Sequence, residues 1–144
     1  MEIHAQTATQ VVRFQVSAIN QIAVSGSPAP MIINSATAGS APTPVTAGGT
    51  SYAITTNEAN QKITASIDQP LPTGVTLEVT LAPPGGASSP GAVSLGTAAA
   101  DVVTGISSTN ASSLPITYRL SASTNVQMAV PADRTVTFTV VSGT

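Results

Sequence analysis

The chain has no cysteine and no tryptophan, and its 144 residues include only two phenylalanines, two tyrosines and one histidine. The lack of cysteine excludes both a disulfide framework and thiolate metal sites. A chain of this length can still bury a substantial hydrophobic core, so we expect a single domain that is stable without disulfides or metal ions.

Charge is scarce as well. Charged residues make up 7% of the chain, against about 25% in a typical soluble domain, while serine and threonine make up about a quarter. Disorder is the alternative that such a bias raises, but the positive mean hydropathy and the strand-like spacing of apolar residues favour a folded, β-rich protein. A net charge of −2 also leaves little repulsion between copies of the chain.

Neither nucleic acid nor membrane insertion is expected. The four basic residues are scattered along the chain, whereas phosphate binding needs a basic patch. They are Arg13, Lys62, Arg119 and Arg134. No apolar run reaches the roughly 20 residues that a membrane-spanning helix requires.

The chain offers little to catalysis, and we expect neither an enzyme nor a cofactor. The single histidine, His4, lies in the polar leader "MEIHAQ", which nearly excludes a Ser–His–Asp triad. The six acidic residues are dispersed over turns, loops and solvent-facing strand positions. Asp101 near Asn110 is a weak candidate for calcium, with turn or capping duty as the plainer role. The glycines of "PPGGASSPG" lack the Lys-Ser/Thr of a phosphate-binding loop.

Alternation of apolar and polar residues predicts strands in several segments. The clearest is "VTLEVTLA", in which Val75, Leu77, Val79 and Leu81 share one face. "SYAITT" and "QKITASID" flank the turn-forming "NEAN", and we expect them to form a hairpin. "VQMAV" and "TVTFTVV" flank "PADR" and predict a second hairpin near the C-terminus.

Other segments are less distinct. "MIIN" and "AVSL" suggest short strands, "GTAAADVVTGI" fits either a helical turn or a strand, and "SSTNASS" reads as a loop. Tyr52 and Tyr118 fall on apolar strand faces, so we expect them in the core and find no aromatic platform for a glycan. Binding of glycans or of a host surface therefore has no support in the sequence.

Eight to ten short strands and no helix longer than ten residues predict an all-β protein. We expect an antiparallel two-sheet, immunoglobulin-like β-sandwich, with a β-barrel as the alternative. Residues 19–144 would form this single domain, and residues 1–18 would form a leader and an N-terminal strand.

The N-terminal strand raises the functional question. Its apolar face carries Val12, Phe14, Val16 and Ala18, and its polar face carries Arg13, Gln15 and Ser17. It could fold back as an ordinary first strand. Alternatively, it could be donated to the exposed sheet edge of a neighbouring copy.

The leader bears on localisation. "EIHAQ" places Ile3 and Ala5 at the −3 and −1 positions of a possible signal-peptidase site, with Gln6 as the mature start. An ordinary polar leader explains the same residues equally well. The first interpretation predicts a secreted or cell-surface protein.

An alternating N-terminal strand, a Thr/Val-rich sandwich without cysteine or tryptophan and a closing "VTFTVV" strand together resemble secreted fibrous subunits of bacteria and archaea. These include pilin-like and biofilm-matrix proteins that polymerise by strand exchange. The resemblance implies a structural subunit of an extracellular filament whose partner is itself. Chaperone–usher pilins often carry a disulfide, which this chain lacks.

Under that resemblance, the donor residues are Val12, Phe14, Val16 and Ala18. The last strand often borders the vacant edge, so the expected groove residues are Val136, Phe138 and Val140. The competing expectation is a monomeric secreted binding or adhesion module of immunoglobulin-like fold, which would present loops such as "PPGGASSPG".

Overall fold

The computed structural model describes residues 5–126 and 131–144. This part of the chain contains eight β-strands and no helix. The strands are β1 (Asn20–Ser25), β2 (Val45–Thr56), β3 (Gln61–Ile67), β4 (Val75–Leu81), β5 (Val93–Ser94), β6 (Ala100–Ile106), β7 (Thr109–Ala122) and β8 (Val136–Ser142).

The strands form two antiparallel sheets. One has five strands in the order β1-β2-β7-β4-β5, and the other has three in the order β6-β3-β8. Within the described residues the sheets keep separate edges, so the predicted two-sheet sandwich is confirmed and the barrel alternative is wrong.

The core follows from the alternation in sequence. Every second side chain of β3 is buried, as are Leu77, Val79 and Leu81 in β4, because successive residues of a strand point to opposite faces. Ile63, Val79 and Leu81 are fully enclosed between the sheets. Tyr52 and Tyr118 are also buried, which confirms their predicted core positions.

The predicted hairpin of "SYAITT" and "QKITASID" is wrong. β2 pairs with β1 and β7, whereas β3 pairs with β6 and β8, so the "NEAN" turn carries the chain from one sheet to the other. Both strands still face the same core, from opposite sides. Their alternation therefore fits facing sheets as well as it fits a hairpin.

Several segment predictions change in detail. "MIIN" forms no strand, although Met31 packs against the core. "SSTNASS" is largely the start of the 14-residue β7, and "GTAAADVVTGI" contains the strand β6. β2 starts at Val45 and accommodates its glycines where its register with β7 shifts, between Ala47 and Thr50.

The predicted C-terminal hairpin is described only in its second arm. β8 contains most of "TVTFTVV" and pairs with β3. The first arm, "VQMAV", falls on residues 127–130 apart from Val126, and those residues lie outside the described part of the chain.

Strand register defines the two ends of the sandwich. Asn20 pairs with Thr56, and Gln61 pairs with Ser142; we call this end the base, because the short β2–β3 turn joins the two sheets there. At the other end, the top, Ser25 pairs with Ser51 and Ile67 pairs with Val136. β1 therefore runs from base to top, and β8 runs from top to base.

Candidate interaction edge

The N-terminal segment, residues 5–19, precedes the first strand and belongs to neither sheet. Its large apolar side chains are mostly exposed to solvent: Val11 is 96% exposed, Phe14 87%, Val16 77% and Val12 70%. The segment therefore does not occupy the place of an ordinary first strand, which is taken by β1. A single chain leaves all of its predicted donor residues in solvent.

Asn57, in the β2–β3 turn, holds the root of this segment. Its amide N donates to the Ile19 carbonyl (3.2 Å), and its side-chain Oδ1 accepts a hydrogen bond from the Ile19 amide (2.8 Å). Its Nδ2 donates to the Ser17 carbonyl (2.9 Å). Ile19 lies one step beyond the Asn20–Thr56 pair, so the chain at this point continues the line of β1 past the base.

A second set of polar contacts secures the start of β1. The Thr56 hydroxyl donates to Asn20 Oδ1 (2.6 Å), and Asn20 Nδ2 donates to a carboxylate oxygen of Glu58. The Glu58 amide donates back to the Thr56 hydroxyl (3.1 Å). Together with Asn57, these side chains fix where the N-terminal segment leaves the sandwich.

β8 is an edge strand: among residues 5–126 and 131–144, only β3 pairs with it. Antiparallel neighbours exchange hydrogen bonds at every second pair. The Asp68 amide donates to the Thr135 carbonyl, and the Gly143 amide donates to the Asn60 carbonyl, so the odd-numbered residues of β8 bond to β3. The backbone N–H and C=O groups of Val136, Phe138 and Val140 consequently point away from β3.

A groove of about 410 Å³ opens beside this edge, between β8 and the facing sheet. Val136 and Phe138 form one wall. The remaining apolar lining comes from β1, β4, β7 and the loops at the top: Val24, Pro28, Ala29, Pro30, Met31, Leu71, Leu77, Tyr118, Leu120 and Ala132. The groove therefore offers an apolar interior next to a row of outward-pointing backbone groups.

The predicted groove residues are not equivalent. Val136 and Phe138 line the groove, whereas Val140 packs against the core nearer the base and is absent from the lining. Sequence reasoning missed the opposite wall, in particular Tyr118, Leu120 and Leu77. Alternation marked Leu77 and Tyr118 as core residues, but only the sheet order shows that the core is open beside them.

Charge is confined to the rim of the groove. Asp133 and Arg134 lie at its top, where Arg134 donates hydrogen bonds to the carbonyls of Gln69 and Pro70. Inside, burial raises the pKa of the Tyr118 phenol because the charged form would lose its hydration. The interior therefore suits apolar side chains and disfavours a carboxylate.

The other candidate sites of the sequence do not assemble. Asp101 forms an ion pair with Lys62 (3.1 Å), and Asn110 is an exposed residue of β7. Within the described ranges, no three histidine or acidic side chains cluster as metal ligands would. In the same ranges, the structure contains no helix with the length and hydrophobicity to span a membrane.

Comparison of the chain with protein-family models, with curated proteins and with solved structures found no match.

Proposed function

We propose that this protein is a structural subunit of an extracellular filament, pilus-like or part of a matrix, which assembles by inserting the N-terminal segment of one copy into the groove of the next. The observation that carries the proposal is the N-terminal segment itself. Its apolar side chains alternate with polar ones, yet they lie in solvent.

The groove and the N-terminal segment are complementary in two respects. Each presents apolar side chains at every second residue, and each has backbone groups without a partner in the described part of the chain, which are available for a β-ladder. The outward groups of Val136, Phe138 and Val140 can make six main-chain hydrogen bonds. An exposed edge of this kind is otherwise a liability that folded proteins cover or charge.

The energetics favour assembly only with help from further contacts. Six hydrogen bonds at about 1 kcal/mol each and three buried side chains at about 2 kcal/mol each give roughly 12 kcal/mol. Association costs on the order of 4–15 kcal/mol. Contacts between the folded bodies must add to strand insertion, and the sparse surface charge permits such close packing.

The test compares the full chain with a variant that lacks residues 5–18. Negative-stain imaging at high concentration should show fibres for the full chain and dispersed particles for the variant. The deleted residues bury little of themselves, so the variant should keep the β-sheet circular dichroism spectrum of the parent. A synthetic peptide of residues 7–18 should bind the variant and, in excess, cap the growth of fibres.

Dispersed particles from the full chain across a range of concentrations and pH would contradict the proposal. That outcome would favour the monomeric binding module. A second contradicting result would be a full chain that stays monomeric and a shortened variant that is unfolded. That result would show that the segment stabilises the domain of its own chain.

A further inference from the structure

We infer that Asn57 directs the N-terminal segment away from the groove of its own chain, so that it pairs antiparallel with β8 of the next copy, Phe14 opposite Phe138. This inference rests on the proposed function and adds the direction and the register of the inserted strand.

The direction follows from the two ends of the sandwich. The N-terminal segment leaves at the base, beside Thr56 and Ser142, whereas the groove lies towards the top, where Val136 and the top loops line it. The seven residues of β8 separate these points by about 20 Å. Insertion into the same chain would need a reversal at residues 17–19, followed by a strand running from top to base, parallel to β8.

Asn57 opposes that reversal. Its three hydrogen bonds to Ser17 and Ile19 keep the chain on the line of β1, past the base. A reversed chain would also have to cross from the five-stranded sheet to the edge of the three-stranded one, a separation of about 10 Å. Self-insertion therefore sacrifices the contacts of Asn57, and insertion into another copy retains them.

In a head-to-tail stack, the base of one copy rests on the top of the next. The segment then enters the neighbour's groove at its top and extends towards its base. Read from N- to C-terminus, the inserted strand runs from base to top, opposite to β8. Antiparallel pairing also gives the better-aligned hydrogen bonds.

The register follows from the outward groups of β8 and from the residues that line the groove. Even-numbered donor residues must face even-numbered β8 residues for both apolar faces to point inwards. Placing Phe14 opposite Phe138 puts the largest donor side chain beside the aromatic residue that lines the groove, with Val16 opposite Val136 and Val12 opposite Val140. Residues 10–16 then match the seven residues of β8. The inserted strand is followed directly by residues 17–19, which Asn57 holds in the donor's own chain.

Engineered disulfides test the direction directly, because the chain has no cysteine of its own. Directly opposed residues of an antiparallel pair lie about 5.5 Å apart, within disulfide range. The double variant with Val16→Cys and Val136→Cys should give a covalent ladder of multimers on non-reducing gels. The amount of cross-linked chain should be at least tenfold higher than in the double variant with Val16→Cys and Val140→Cys. A parallel strand in this register would reverse that preference.

Asn57→Ala tests the role of the anchor. In the background of Val16→Cys and Val140→Cys, it should raise the yield of an internally cross-linked monomer at least fivefold, because the chain can now reverse. Asn110→Ala, which removes an exposed asparagine of β7 near the base, should leave that yield unchanged. If Asn57→Ala only lowered the stability of the fold, the yields of the internal and of the intermolecular cross-link would both fall.

The outcomes separate the two claims. Fibres that cross-link through Val16 and Val140, or through neither pair, would overturn the direction and register while leaving the filament proposal intact. Absence of fibres and of any intermolecular cross-link would overturn the filament itself. An unchanged cross-linking pattern in Asn57→Ala would show that Asn57 does not direct the N-terminal segment away from its own groove.

Discussion

Tyr52 donates its phenolic hydroxyl to the carbonyl oxygen of Ala82 (2.5 Å), linking β2 to the residue that follows β4. The Tyr52 side chain is otherwise enclosed, with 1% of the residue exposed. Burial raises the pKa of Tyr52 to about 12, because ionisation would place a charge in an apolar environment.

This shift predicts a loss of stability at alkaline pH. The folded pKa lies above that of an unfolded tyrosine, about 10, so the unfolded chain releases its proton first. The contribution is complete below pH 10 and is lost as pH rises from 10 towards 12, by up to roughly 3 kcal/mol. Urea unfolding at pH 9, 10 and 11 should show the decline.

Tyr52→Phe provides the control for that prediction. It should cost about 1 kcal/mol at pH 8 through the lost hydrogen bond, and it should make the decline between pH 10 and 11 shallower. Absorbance at 295 nm follows tyrosine ionisation without a tryptophan signal, and the difference between the parent and Tyr52→Phe separates Tyr52 from Tyr118. Titration of Tyr52 at its ordinary pKa in the folded protein would contradict the argument.

The second prediction concerns the centre of the core. Ile63 is completely buried, so Ile63→Ala should lower the free energy of unfolding by about 2–5 kcal/mol through lost contacts and a residual cavity. Ile32 is 66% exposed, and Ile32→Ala should change that free energy by less than about 0.5 kcal/mol. Equal effects of the two substitutions in urea unfolding would show that the core is misplaced.

The third prediction concerns the turn before β4. Gly74 has φ +88°, and a Cβ there would lie 2.6 Å from Ser123 Oγ and 2.8 Å from Val126 Cγ2. Gly74→Ala should therefore cost at least about 2 kcal/mol in strain and displacement. Gly85 lacks both constraints, so Gly85→Ala should unfold at nearly the parent's urea midpoint.

The fourth prediction separates assembly from stability. Phe14 is 87% exposed in the single chain, so Phe14→Asp should leave monomer stability within about 0.5 kcal/mol. It should abolish fibres, because insertion would bury an unpaired carboxylate in an apolar groove. Gln15→Asp adds the same charge on the opposite strand face and should leave fibre yield, measured by sedimentation, at half the parental level or more. Normal fibre yield from Phe14→Asp would rule out the assigned donor face.

The fold class was predictable because alternation reports which side of a strand meets the core. It specified the buried faces of β3 and β4 and the positions of both tyrosines. It could not specify the neighbours of each strand. β2 and β3 face each other across the core, yet a local turn and two alternating segments suggested a hairpin.

The candidate edge was only partly predictable, for a related reason. The sequence showed an alternating apolar segment before the first strand, and it suggested β8 as a border. The opposite wall of the groove, with Leu120 and Leu77, comes from strands that are distant in sequence. The anchor at Asn57 lies 38 residues from Ile19, and an asparagine in a polar turn carries no sign of such a contact.

Among the strands of residues 5–126 and 131–144, β8 is the last in chain order, and the sheet to which it belongs otherwise contains β3 and β6. All strands of the five-stranded sheet precede residue 123. During synthesis, every strand of the larger sheet is therefore made before the strand that completes the smaller sheet. Among the described strands, the sheet edge beside the groove is thus the last to be synthesised, whereas the N-terminal segment that we propose as the donor is synthesised first.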